Sequence, residues 1–305
     1  MNSFVSYALE TAIAISIFYT LYWLLLRKET FFRFNRYYFL VSLIIALLLP
    51  FLSISGFTAF HKSPSVYAIS QGYNYLQNAV VVNAVKIPES IPVRFTVMDY
   101  LLGLYILGFV FLLLRLVYQA GFLAFRIRKS RIIEISGSKV VLDKKVNSPF
   151  SFFSWIFLSP SQIEDESISD IILHEKEHIR QKHSLDLFLI EMVSAFQWMN
   201  PFVWLLRKSV KETHEYLADH AVLQQGVQVK DYQKLLLSYA MGVGQPALIT
   251  PLNFSLNKKR MIMMKKMKSP DRRKWRSLLL LPIILILSLA FSNPFSAEKI
   301  MFESE

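Results

Sequence analysis

Apolar positions along this chain collect into four long runs, and each run meets a cluster of basic residues at one end. The first extends from about Phe4 to Leu26 and stops at Arg27-Lys28. The second runs from Tyr37 to about Ser55, inside a stretch to Phe60 that holds no charged residue. The third covers about Val97 to Phe125, interrupted by Arg115, and the fourth runs from Ser277 to about Phe295 behind Arg272-Arg273-Lys274 and Arg276. A helix needs about 20 such residues to cross a hydrocarbon core, so the pattern predicts four transmembrane helices over residues 4–26, 37–55, 97–125 and 277–295. Pro50 is expected to kink or end the second. The first lacks a basic start and an Ala-x-Ala-like cleavage site, which makes it an uncleaved span. Arg115 has a stem long enough to snorkel, and Glu10, about 26 Å along a helix from Arg27, falls near the opposite interface.

Between the third and fourth runs the period changes. Ile132-Ile133-Glu134-Ile135 and Val140-Val141-Leu142, joined through Ser136-Gly137-Ser138, have the β-branched content and turn chemistry of a hairpin. Pro149 to Leu158 reads as one further strand stopped at Pro160, either an edge strand open to strand addition or a buried core strand. The acidic stretch Glu164-Asp165-Glu166 suits the start of a helix that runs through His178. Leu185 to Leu206 is apolar enough to suggest another crossing, but Asp186, Glu191 and Asn200-Pro201 interrupt it, so it reads as two helices meeting at Asn200-Pro201. Residues 126–276 therefore form a folded domain between a three-span membrane region, residues 1–125, and the last span. Residues 296–305 are a tail too short to fold alone.

Composition agrees with a membrane protein, since 53% of the chain is hydrophobic and its mean hydropathy is +0.36. The net charge of +12 raises the question of nucleic acid. Placement of the basic residues beside the apolar runs argues against direct nucleic-acid binding and for the positive-inside rule. The outer loop, residues 56–95, has only Lys62, Lys86 and Arg94, whereas four basic residues fall between Arg27 and Arg36. Residues 27–36 and 126–276 are accordingly expected on the cytoplasmic side of a bacterial inner membrane, with both termini outside. The chain contains no cysteine, so any metal site is built from histidine and carboxylate.

The chemistry concentrates in His174-Glu175-Lys176-Glu177-His178. On a helix His174 and His178 project from one face, close enough to hold one metal ion. Glu175 lies beside that face, where it cannot easily become a third ligand but can take a proton from a water that the metal activates. The plain alternative is an exposed helix with two chance histidines. Downstream, Glu215 and Asp219 stand one turn apart in Glu215-Tyr216-Leu217-Ala218-Asp219, offering one carboxylate for the metal and one to orient a histidine. Alone, that pair is equally a solvated acidic face. His183 is the other candidate third ligand, but the metzincin pattern would need a glycine at Gln181 and a histidine at Ser184. The charges of Asp170, Glu177, Arg180 and Lys182 are expected to keep the site in water rather than lipid.

Four spans, a domain between the third and fourth, Pro149-Phe150-Ser151-Phe152, His174-Glu175-x-x-His178 and Glu215-x-x-Ala218-Asp219 together resemble the BlaR/MecR family of membrane zinc peptidases. The resemblance implies a mainly α, polytopic fold with a cytoplasmic, gluzincin-like α+β zinc-peptidase domain. It further implies Zn2+ held by His174, His178 and Glu215, with Glu175 as general base and Asp219 behind a histidine ligand. Family members signal by proteolysis that relieves a transcriptional repressor, so the implied partners are the lipid bilayer, such a protein substrate and, in a homodimer, a second copy. They also carry an outer penicillin-binding sensor after the fourth span, where this chain has a short tail. The alternatives are a quality-control membrane protease and a non-catalytic receptor or scaffold with a vestigial metal site.

Overall fold

The computed structural model describes residues 3–51, 97–163, 168–241 and 254–291. Residues 56–95, expected as an outer loop, the acidic stretch 164–166 and the tail lie outside the described residues. The elements in chain order are α1 (Ser3–Leu25), α2 (Phe32–Leu48), α3 (Val97–Lys129), β1 (Arg131–Ile135), β2 (Ser138–Leu142), β3 (Phe150–Phe152) and β4 (Trp155–Leu158). These are followed by α4 (Ile168–Arg180), α5 (His183–Phe196), α6 (Pro201–Gln224), α7 (Val229–Met241), α8 (Phe254–Met264) and α9 (Leu280–Phe291). Helix α2 gives way at Pro50 to a 3-10 turn, Leu49–Phe51, and α9 is preceded by a longer 3-10 stretch, Asp271–Leu279.

Among the described residues, four helical stretches are long and apolar enough to cross a membrane: Phe4–Leu25, Phe32–Phe51, Asp99–Lys129 and Asp271–Phe291. On α3, Leu107, Phe111, Leu114 and Phe122 are exposed, the side chains expected to meet lipid rather than water.

The chain divides into two compact units. One comprises the described residues of Met1–Ala14, Ile45–Ile106 and Leu278–Glu305. In it the Tyr7 hydroxyl donates to the Leu47 carbonyl at 3.1 Å and the Tyr7 ring meets that of Phe51. The other comprises the described residues of Ile15–Ile44 and Leu107–Ser277 and contains all the chemistry. There α1 and α2 pack through Phe18, Tyr22 and Phe39, and the Tyr38 hydroxyl donates to the Phe18 carbonyl at 2.8 Å. A Cβ on Gly108 would meet the Trp198 indole at 2.6 Å, so glycine is what lets α3 approach the α5–α6 corner so closely.

The sheet has the order β1-β2-β4-β3. β1 and β2 are antiparallel across Ser136 and Gly137, both at positive φ, the two-residue turn whose twist matches that of the strands. The run from Pro149 to Leu158, expected as one strand, is instead two antiparallel ones, Phe150–Phe152 and Trp155–Leu158. Phe153, at a φ of 50°, turns the chain back where no glycine or Asn-Gly pair marks a turn. That resolves the two readings of the run, since β3 is an edge strand and β4 is central, parallel to β2.

Period-two alternation splits the apolar residues of β2 and β4 between two faces. Val140, Ile156 and Leu158 join Ile171, Ile172, Val222, Tyr232 and Leu235 in one core. Val141 and Phe157 join Val146 on the other face, against Leu123 and Ile127 of α3. With both faces covered, the strands read as unbroken apolar runs. The first core fixes α4 on the sheet, and that sets which way its histidines point.

Candidate metal centre

Helix α4 turns Ile171 and Ile172 to the sheet and His174 and His178 toward α6, with Glu175 beside them. Helix α6 starts where Asn200 caps it, its side chain accepting from the Phe202 N–H at 2.9 Å with Pro201 in the first turn. From there α6 carries Glu215 opposite the pentad. Nε2 of His174 and Nε2 of His178 are 3.2 Å apart, and the Glu215 carboxylate lies 3.5 Å from the first and 3.8 Å from the second. Two ligands bound at about 2.1 Å with a tetrahedral angle are about 3.4 Å apart, so the three side chains have the spacing of a tetrahedral site. Among the described residues they form one group of metal-ligating atoms, all within 4.8 Å of one another.

Behind His174 the partners are not those the spacing suggested. Asp219 Oδ1 is 3.5 Å from His174 Nδ1, beyond a good hydrogen bond, and the buried Tyr232 hydroxyl stands between them. It donates to Asp219 at 3.0 Å and lies 2.8 Å from His174 Nδ1. With its single proton given to the carboxylate, the phenol oxygen can only accept from Nδ1–H, which leaves the Nε2 lone pair facing the site. Asp219 in turn receives the Arg260 guanidinium at 2.5 Å and 2.9 Å, and Arg260 also reaches Glu215 at 2.9 Å. Arg260 is only 7% exposed, so it belongs to the site rather than to the basic flank of the last span.

His183 is not part of the metal-ligating group. A left-handed residue, Lys182 at a φ of 56°, turns the chain sharply between α4 and α5 and brings His183 Nδ1 to 2.7 Å from His178 Nδ1. If His178 offers Nε2 to a metal, its Nδ1–H donates to His183, whose own proton then sits on a buried Nε2 that has no partner among the described residues. The His183 ring stacks on His214 at 3.9 Å, nearly parallel. His214 reaches Asp186 at 3.0 Å, and Asp186 takes Arg36 of α2 at 2.5 Å.

These contacts set the charge states. Burial pushes His178 down to about 3 and pushes His183 below its ordinary range, with His214 adding to the effect, so both rings are neutral. For His174, burial alone would lower the pKa, but Glu215 and Asp219 outweigh it and the group is raised. For Glu215, burial is outweighed by Arg260 and the two histidines, so it is held well below the carboxylate range. Glu175 is raised, chiefly by burial, while His174 and a hydrogen bond from Ser151 of β3 pull the other way. Glu177, expected as a solvated charge, is buried instead. Burial would raise it, but hydrogen bonds from Arg180, at 2.7 and 2.6 Å, and from Gln181 hold it ionised.

The family model described as BlaR1 peptidase M56 matches residues 3–264, most of the chain. The chain belongs to that family. Membership makes it a relative of metallopeptidases, and the gathered donor set is of the kind such enzymes need. Among curated proteins it is similar to the regulatory protein BlaR1 of Bacillus licheniformis, 30% identical over 93 residues. That match takes in 28% of this chain and only 16% of the relative, well under two thirds of its length.

Tyr232, Arg260, Arg36 and the His183–His214 stack were beyond sequence reasoning. Tyr232 is 58 residues from His174, and Arg260 is 41 from Asp219 inside a basic run that the membrane flank accounts for. His183 carried a signal only as a ligand out of register.

Proposed function

We propose that this chain is a membrane-embedded zinc endopeptidase of signal transduction that cleaves a cytoplasmic regulator, with His174, His178 and Glu215 as the metal ligands. The observation that carries the reading is the tetrahedral spacing of those three side chains beside a buried Glu175 that ligates nothing. A zinc ion bound there supplies Lewis acidity toward a water and toward the scissile carbonyl. Glu175 takes the proton of the attacking water and delivers it to the leaving amine; its raised pKa suits both halves of that transfer. Tyr232 and Asp219 hold His174 in the tautomer that ligates, and His183 does the same for His178. The edge strand β3, which packs on α4 beside Glu175, offers a substrate backbone a partner for strand addition.

The domain around the site is taken as cytoplasmic, in the inner membrane, with a transcriptional repressor as the kind of substrate that the resemblance to the BlaR/MecR family implies. Tethering of residues 126–276 at both ends by spans gives an outer stimulus a means of biasing the site. The test is cleavage of a cytoplasmic protein substrate by the full chain in proteoliposomes, with and without a zinc chelator. Activity lost on chelation and regained with zinc supports the reading; activity indifferent to chelation removes it.

A further inference from the structure

A cleft of about 650 Å³ is lined in part by Asp219 and Arg260 and by none of the three candidate ligands. That volume is in the range of small-ligand sites. Its walls come from the α1–α2 turn, α6, α8 and the segment leading toward α9. The buried Phe32, Tyr216 and Leu217, with Met263 packed on them, form its apolar side.

The polar lining is strongly cationic: Arg33, Arg260, Lys266, Lys268 and Lys274 against the carboxylates of Asp219 and Asp271. Both carboxylates are already matched, Asp219 by Arg260 and Asp271 by Lys274 at 2.6 Å. Lys266 donates to the Lys28 carbonyl. Arg33 and Lys268, both exposed, enter no ion pair among the described residues. The cleft therefore presents above an aromatic and aliphatic wall two cations whose interactions with carboxylates, Arg33 with Glu177 and Lys268 with Asp271, act without a close ion pair.

Its place in the chain narrows what those cations meet. Arg33 stands four residues before the uncharged run that begins at Tyr37, and Lys274 three residues before the one at Ser277. Side chains at the basic ends of two apolar helices lie at headgroup depth if those helices cross a bilayer. The segments are also tied together. Thr30 and Ser269 exchange hydrogen bonds at 3.0 and 2.8 Å, and the buried Glu29 carboxylate receives Arg273 at 3.1 Å. The cleft is thus a built feature between two span-flanking segments rather than a gap between loose ones.

We infer that this cleft binds a phosphate group, that of an anionic phospholipid headgroup, with Arg33 and Lys268 as the recognising cations. Clustered basic side chains beside spans recognise anionic headgroups in this way, and the apolar wall receives the glycerol and first methylenes of the lipid. The inference concerns binding alone and stands whether or not the metal centre is catalytic.

The test uses the full chain purified in mild detergent and equilibrated with mixed micelles of phosphatidylglycerol and phosphatidylcholine, with retained lipid identified by mass spectrometry. In parallel, labelled inorganic phosphate is offered in equilibrium dialysis. Preferential retention of phosphatidylglycerol is expected, weakened about 30-fold in R33Q/K268Q, as two lost basic contacts at a membrane surface imply. It should persist in R33K/K268R and in the control K144Q/K230Q, whose side chains are exposed elsewhere. The single variant K268Q, at an exposed position, reads the same effect at smaller size if the double variant does not fold. Phosphate binding with the same dependence on Arg33 and Lys268, without lipid selectivity, supports the anion site and assigns its source to free phosphate. Retention of both probes unchanged in R33Q/K268Q and K268Q overturns the inference, because any bound lipid is then merely annular.

Discussion

The Tyr232 hydroxyl lies 2.8 Å from Nδ1 of His174, so the orienting partner of that histidine is a phenol, with Asp219 one hydrogen bond further away. Replacing Tyr232 by Phe keeps the ring in its core and removes only the relay. Zinc affinity is expected to fall by about 10- to 100-fold, with the fold retained at a cost of about 1 kcal/mol. Competition with a chelator of known affinity measures the first, and thermal unfolding the second. Unchanged affinity would show that the phenol only fills space.

His183 gives a different signature. In His183→Phe the ring and its stack on His214 survive, but the acceptor for His178 Nδ1–H is gone. The variant loses one unsatisfied buried N–H, that of His183 Nε2, and gains another on His178. Metal-free stability should therefore change by less than about 1 kcal/mol while zinc affinity falls about tenfold. The same chelator competition and melting curves separate the two effects. Equal losses in both would mean that His183 is simply core.

Legibility in the sequence followed distance along the chain. The pairing of His174 with His178 needs only helical periodicity, and the four apolar runs need only length. Glu215 lies 37 positions beyond His178, yet its Glu-x-x-Ala-Asp spacing gave it a local signature to be matched with the pentad. Arg36 and Asp186, 150 residues apart, share none. The β3–β4 turn was hidden because Phe153 takes a left-handed conformation that favours glycine, asparagine or aspartate. Glu177 looked solvated because its burial depends on Arg180 and Gln181 folding back over it.

The Arg36–Asp186–His214 chain predicts an acid limit on stability. Burial would raise the Asp186 pKa, but His214 and Arg36 outweigh it and the folded value is depressed. Such a group stabilises the fold above its unfolded pKa, about 3.9, and that contribution is lost as pH falls through the folded value. Arg36→Ala removes the partner and leaves a mostly buried carboxylate. A loss of about 3 kcal/mol at neutral pH is expected, shrinking as pH falls below about 4. Thermal unfolding of both proteins across pH 3 to 7 in detergent, about the range of the unfolded pKa, tests it. A deficit that stays constant with pH would detach Arg36 from Asp186.

Orientation is open to direct measurement. A reporter active only in the cytoplasm, fused near Gln162, is expected to be active, and one in residues 56–95 silent. The reverse pattern would invert the membrane assignment and exclude a cytoplasmic substrate.

His174, His178 and Glu215 are assigned the metal, and Glu175 the proton transfer. The most direct measurement is zinc content and peptide cleavage in one preparation of the full-length Glu175→Gln variant beside wild type and Glu215→Ala. Glu175→Gln should carry as much zinc as wild type and cleave at least about 100-fold more slowly, since it loses the base and keeps the ligands. Glu215→Ala should lose both. Full cleavage by Glu175→Gln would take the proton transfer from Glu175, and undiminished zinc in Glu215→Ala would take that carboxylate out of the metal site.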